Sequence, residues 1–152
     1  MASPLSPAEV LARVPQQEPF RFIDAIHELD GEHIVASYRF RESADFYRGH
    51  FPGNPITPGV ILIEAMAQAG VVAQGIYLLS LDGKPEQIEK LVTVFTDCQV
   101  DFTGQVRPGE RVTTTGRVEF FRRRKLRSAV EMRLDDGTLV CAGKLAGMGV
   151  PR

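Results

Sequence analysis

Pro58-Gly59-Val60-Ile61-Leu62-Ile63-Glu64-Ala65-Met66-Ala67-Gln68-Ala69-Gly70-Val71-Val72-Ala73-Gln74-Gly75-Ile76-Tyr77-Leu78-Leu79-Ser80-Leu81 decides how this chain folds. From Pro55 to Leu81 the only charged residue is Glu64. Length alone would allow a membrane-spanning helix. Against that stand Gln68, Gln74, three glycines (Gly59, Gly70, Gly75) and the carboxylate, with no close Lys/Arg cluster on either side. The pattern predicts instead a helix that is apolar nearly all round and buried inside a protein, with no membrane span.

The sequence around it reads mainly as strands. Ser6 before Pro7-Ala8-Glu9 is a helix start, and Pro15 stops that helix near Val14. A strand is predicted over Phe20–Leu29, and Asp30-Gly31 turns the chain. Ile34, Ala36, Tyr38 and Phe40 then alternate with His33, Val35, Ser37 and Arg39. Beyond the helix, Asp82–Glu86 is a polar loop and Leu91–Phe102 is rich in Val, Thr and Phe. After Pro108-Gly109, period-two alternation marks strands over Val112–Phe120 and Ala129–Leu134. Asp136-Gly137 leads into a last strand, about Leu139–Met148. Strands joined by tight turns give an antiparallel sheet, and one long helix must cover a face of it. The expectation is an α+β chain, residues 1–152 as one domain, with an antiparallel sheet wrapped around one central helix.

Composition narrows the function. The 152 residues are 43% hydrophobic and 24% charged, which excludes wholesale disorder. Eighteen Lys+Arg against nineteen Asp+Glu leave a net charge of −1, so the chain is not built to coat nucleic acid. Two cysteines and three histidines, far apart, show no metal-ligand spacing and no disulfide framework. The start, Met1 to Pro7, lacks a basic region followed by an apolar one, and Ala2 stands where N-myristoylation needs glycine. The expected compartment is the cytoplasm.

Residues 49 to 68 carry the chemistry. Pro52, Pro55 and Pro58 predict a stiff, extended approach to the helix. Thr57 fits the N-cap and Pro58 the first helical position, which leaves the Gly59 and Val60 N–H groups unpaired at the positive helix end. Such donors can hold a carbonyl oxygen that gains negative charge. Alternatively, the Thr57 hydroxyl takes one of them and the turn is only a cap. Glu64, six residues past Pro58, lies about 9 Å further along a helix axis. An isolated buried carboxylate needs compensation, and Gln68, one turn on, can hydrogen-bond it. Desolvation favours its protonated form, which suits a general acid; a Glu reaching solvent is the plain alternative. His50 precedes the proline-rich turn and suits a general base near neutral pH; the plain alternative is a loop histidine. For His27 and His33, on strands flanking a hairpin, no role is expected.

Gly49-His50-Phe51-Pro52-Gly53-Asn54-Pro55-Ile56-Thr57-Pro58-Gly59-Val60, followed by Glu64-Ala65-Met66-Ala67-Gln68, resembles the β-hydroxyacyl-acyl carrier protein dehydratases of FabZ type. Pro19–Asp24 and Val106–Glu110 extend the likeness over most of the chain. The resemblance implies a hot-dog fold and a homodimer or higher homo-oligomer whose sheets pair edge to edge. It implies an active site at that interface, with no metal and no cofactor. By carry-over, His50 is the base that removes a C2 proton, and Glu64 the acid that protonates the departing 3-hydroxyl. Gly59 and Val60 polarise the thioester carbonyl, and Gln68 orients Glu64. Two stretches depart from the family: Gln16-Gln17-Glu18 replaces a basic and aromatic run, and Asp101–Val106 resembles the FabA-type sister group. Phe95 is the candidate for an aromatic gate. Arg122, Arg123, Arg124, Lys125 and Arg127 form the one strong positive run, either a dock for an acidic carrier protein or a solvated hairpin tip. No aromatics are interleaved with the run, which disfavours nucleic acid. A hot-dog thioesterase and a non-catalytic acyl-carrier-binding subunit are the rival readings.

Overall fold

A computed structural model describes residues 3–83 and 85–152. Met1 and Ala2, used above in reading the start, and Lys84 of the Asp82–Glu86 loop lie outside the described residues. In chain order come α1 (Pro7–Arg13), β1 (Ala25–Leu29), β2 (His33–Arg39), α2 (Phe46–Gly49), α3 (Gly59–Ala67), α4 (Gln74–Leu81), α5 (Pro85–Ile88), β3 (Leu91–Phe102), β4 (Arg111–Arg122), β5 (Lys125–Leu134) and β6 (Leu139–Pro151). A π-helical segment, Gln68–Ala73, joins α3 to α4, so the central helix is continuous but wider-wound in its middle. The sheet order is β1-β2-β4-β5-β6-β3, antiparallel throughout. The two-strand, helix, four-strand inventory read from the sequence is therefore the observed one.

Local rules explain most elements. Ser6 Oγ accepts from the Glu9 N–H at 3.2 Å, and Glu9 Oε1 accepts from the Ser6 N–H at 3.1 Å, a complete capping box. Asp30 Oδ1 accepts from the Glu32 and His33 N–H groups and closes the first hairpin. Ile34, Ala36, Tyr38 and Phe40 are all buried, as their alternation predicts. The first strand is shorter than predicted, because the Phe22 N–H bonds the Gln68 side chain instead of a neighbouring strand. The β4–β5 hairpin turns through Arg123 (φ 52°) and Arg124 (φ 64°), a left-handed pair that arginine adopts at a cost in backbone energy.

The central helix is long and apolar enough to cross a membrane, yet 67% of its most apolar window is buried inside the fold. Its all-round apolarity has two destinations. Leu62, Met66 and Val71 pack with Val112, Val130, Met132 and Leu145 of the sheet. Ala69, Val72, Ala73 and Ile76 pack with Val10, Val14 and Ile34. Contact with the sheet is closest at Gly70: a Cβ there would lie 2.7 Å from Val130 Cγ2. A Cβ on Gly116 would lie 3.1 Å from the Gly70 Cα. Ser128 Oγ donates to the Gly70 carbonyl at 2.7 Å across this contact. Only residues without side chains fit here.

One side of the sheet is left open. β3 is an edge strand that exposes Val94, Phe95 and Phe102, and its register shifts between Phe95 and Asp97. Asp97 carboxylate oxygens accept from Arg127 and pair with Lys125.

Replacing Gly70 by alanine is expected to lower unfolding stability by about 1–3 kcal/mol through overpacking. Val130→Ala in the same chain should relieve part of that loss. Urea unfolding of the three variants checks this, and simple additivity of the two losses would contradict it.

Candidate active site

His50 caps the C-terminal end of α2. Its Nδ1 bonds the Ile56 carbonyl at 2.9 Å, and its own carbonyl accepts from the Ile56 N–H at 3.0 Å. A carbonyl can only accept, so Nδ1 carries a proton, and in the neutral ring Nε2 holds the lone pair. The Phe51 ring stacks on the imidazole at 4.0 Å. The segment between them is not the extended approach predicted from the proline spacing. Phe51 and Asn54 exchange two backbone hydrogen bonds around Pro52-Gly53, and Gly53 has φ 74°. Proline followed by glycine at positive φ is type II turn chemistry, and it overrides the extended preference.

The helix start also differs from the expected one. α3 begins at Gly59 with Pro58 as N-cap, and no side chain caps it. Thr57 is buried; its hydroxyl bonds the Tyr47 hydroxyl at 2.6 Å and its N–H bonds the Val106 carbonyl at 2.8 Å. The cap reading of Thr57 is thereby overturned. The first backbone N–H groups of the helix that bond within the described residues are those of Ile61 and Leu62, both to Pro58, so those of Gly59 and Val60 remain open. A Cβ on Gly59 would press to 3.3 Å from the Phe102 ring.

Glu64 is half-buried and compensated as the spacing predicts. Gln68 Nε2 donates to Glu64 Oε2 at 2.8 Å and to the Phe20 carbonyl at 2.9 Å, while Gln68 Oε1 accepts from the Phe22 N–H at 2.7 Å. Gln68 is 0% exposed with both ends of its amide engaged. Burial pushes the Glu64 carboxyl above the usual carboxylate range, and the Gln68 bond holds it partly back.

The structure joins some predicted residues and separates others. His50 and Gly59 line one cavity with Phe51, Ile56, Leu62 and Phe102. Glu64 lines a second with Gln16, Ala67, Val71, Thr93 and Phe95. The two cavities have no residue in common, so a single chain does not bring His50 and Glu64 into one cavity. Phe95 lines the Glu64 cavity. Gln16 was legible only as a departure from a pattern; its Oε1 is buried here with no hydrogen-bond partner among the described residues. Thr93 and Phe102 had no sequence signal beyond strand character. His27 bonds Ser37, and His33 sits between Glu28 and Asp30, so both are spent structurally. Of the positive run, Arg127 is held by Asp97 and Glu119, and Lys125 by Asp97. Arg122, Arg123 and Arg124 stand exposed at the hairpin tip. Among the described residues no group of three or more His, Cys, Asp or Glu is placed to hold a metal ion.

Comparison with known proteins matches this arrangement to a family. The family model described as a FabA-like domain matches residues 14–146. A 3-hydroxyacyl-[acyl-carrier-protein] dehydratase FabZ of Streptococcus pyogenes serotype M3 is 36% identical over 138 residues, 90% of this chain and 93% of that protein. The FabZ of Chloroflexus aggregans is 39% identical over 120 residues, 78% of each chain. Among solved structures, the dehydratase heterocomplex ApeI:P from Xenorhabdus doucetiae superposes with TM-score 0.74 at 14% identity, covering 97% of this chain and 93% of that one. A thioesterase from Haemophilus influenzae superposes with TM-score 0.66 at 15% identity, covering 98% and 93%. These two likenesses concern the fold alone, which is the hot-dog arrangement of sheet and central helix.

The raised Glu64 pKa has a consequence for stability. In the unfolded chain this carboxyl ionises at its ordinary value, so folding stability falls as pH rises from that value through the raised one. Glu64→Gln removes the loss. The variant should match the parent at acid pH and exceed it progressively as pH rises through that window. Urea unfolding across the window reads this directly, and a constant offset between the two proteins would contradict it.

Proposed function

We propose the activity of this chain from its family: it belongs to the FabA-like family, among the 3-hydroxyacyl-[acyl-carrier-protein] dehydratases. The reaction removes water from a 3-hydroxyacyl thioester held on acyl carrier protein and leaves a trans-2-enoyl thioester. It serves fatty-acid or related acyl-chain synthesis, and we place it in the cytoplasm with its carrier.

One observation supports the mechanism above the rest: base and acid sit in separate cavities, one at each end of the open strand β3. Phe102 borders the His50 cavity and Phe95 the Glu64 cavity. Two copies of β3 paired antiparallel about a two-fold axis would set the Phe102 end of one against the Phe95 end of the other. Each His50 cavity then faces Glu64 of the partner subunit, and a homodimer holds two complete sites.

In such a site His50 Nε2 takes the C2 proton of the substrate. The Gly59 N–H, with that of Val60 beside it, holds the thioester oxygen as negative charge gathers there. Glu64 of the partner subunit, whose protonated form burial favours, gives its proton to the departing 3-hydroxyl, and water leaves. Gln68 fixes the orientation of that carboxyl. The proton gained by His50 balances the one lost by Glu64, and exchange with solvent resets the pair. All of these groups belong to the polypeptide, and the proposal requires no cofactor.

Mass spectrometry of carrier-bound (R)-3-hydroxyacyl chains tests the reading. The parent should remove one water from the intact chain, and His50→Ala and Glu64→Gln should each slow this by about 10²–10⁴-fold. Release of free acid would move the assignment to thioesterase. Binding without turnover in the parent would favour a non-catalytic subunit.

Mixing the two dead variants tests the shared site. Half the dimers of an equimolar, re-equilibrated mixture are hybrids, and each hybrid has one intact site of two. The mixture should regain roughly a quarter of parental activity. No recovery, with hybrid dimers demonstrated, would place base and acid in one chain.

A further inference from the structure

We propose that Gly75 sets the length of acyl chain this protein accepts, an inference that rests on the dehydratase reading. The Glu64 cavity does not end at Glu64. A second, apolar cavity shares Val71, Val72, Thr93 and Gly147 with it, so the two lie side by side along the central helix with common walls. Gly75 lines only the second cavity. Eleven residues beyond Glu64, it stands about 16 Å further along a helix axis.

The glycine answers no backbone need. It is helical, outside the positive-φ glycines, and glycine weakens a helix interior. Close packing does not demand it either, in contrast to Gly70. A Cβ at Gly75 would meet only Leu126 Cδ2, at 3.8 Å, an ordinary contact. What the missing side chain leaves open is therefore the cavity itself. A methyl fits there, whereas a larger side chain must project into the passage opposite Leu126.

The chemistry of the walls selects the occupant. Around Gly75 the passage is walled by Val72, Ile76, Leu79, Leu91 and Leu126, and Arg124 stands at the hairpin tip. The polar arm of a carrier would lose hydrogen bonds to water there that Thr93 and Arg124, the polar residues of the lining, replace only in part. An alkyl chain loses none and gains burial. The walls common to this cavity and the Glu64 cavity make that alkyl chain the tail of the substrate whose head reacts beside Glu64.

The test compares butyryl-length and palmitoyl-length (R)-3-hydroxyacyl carriers in the parent, Gly75→Ala and Gly75→Leu. Gly75→Leu should keep the short-chain rate and lose at least about tenfold on the long chain. Gly75→Ala should change the ratio in the same direction by less. Equal losses on both lengths, or an unchanged ratio in a folded Leu variant, would overturn the proposal. If Gly75→Leu fails to fold, the ratio in Gly75→Ala decides, and no change there overturns it. Palmitoyl-carrier has no hydroxyl to lose, so its binding is measured in parallel. If the parent dehydrates no length, the dehydratase reading fails and this binding judges Gly75 alone. Weakening in Gly75→Leu supports the proposal, and equal binding overturns it.

Discussion

At Gly70 over Gly116 the central helix lies so close to the sheet that neither residue has room for a side chain. That contact sets the position of everything else. A helix held this tightly needs small residues along the contact, and Ala67, Ala69, Gly70 and Ala73 supply them. The π-helical turn lies over the same place, and Ser128 ties its Gly70 carbonyl to β5. Where the helix is not pressed on the sheet, space remains. Glu64 borders such a space toward one end and Gly75 toward the other.

Burying a carboxyl on this helix creates an electrostatic problem that one amide solves. Gln68 spans three partners, Glu64 and the backbones of Phe20 and Phe22. It therefore fixes the acid and ties down the segment that precedes β1 in the same act. The donor end of α3 follows a related logic. Because Tyr47 occupies the Thr57 hydroxyl, nothing among the described residues competes for the first helix N–H groups. They stay available to an oxygen from outside, beside a histidine whose tautomer is set by Ile56.

Much of this was legible in the sequence because it is local. Period-two alternation located β2 and β4, the apolar run located the central helix, and the Glu64–Gln68 spacing placed those side chains one turn apart. The capping box at Ser6 and the hairpin at Asp30 follow from neighbouring residues. What escaped is what depends on distant partners. The first strand was drawn too long because Gln68, 46 residues further on, takes the Phe22 N–H. The Thr57 cap failed because Tyr47 claimed its hydroxyl. The extended approach failed because Gly53 can adopt a positive φ that proline spacing does not reveal. Cavities made of Gln16, Thr93 and Gly147 have no signature along the chain, since only the fold brings those residues together.

The irregularity in β3 bears on how the newly made chain survives. A free sheet edge is a template on which any extended segment can add, and this one shows Val94, Phe95 and Phe102 to its surroundings. The register shift before Asp97 divides the edge into two shorter ladders, Leu91–Phe95 and Asp97–Phe102. A stranger strand meets a broken ladder and a carboxylate at the break. A strand carrying the same interruption in the same place can match it. The kink thus makes β3 a poor template for promiscuous β-aggregation.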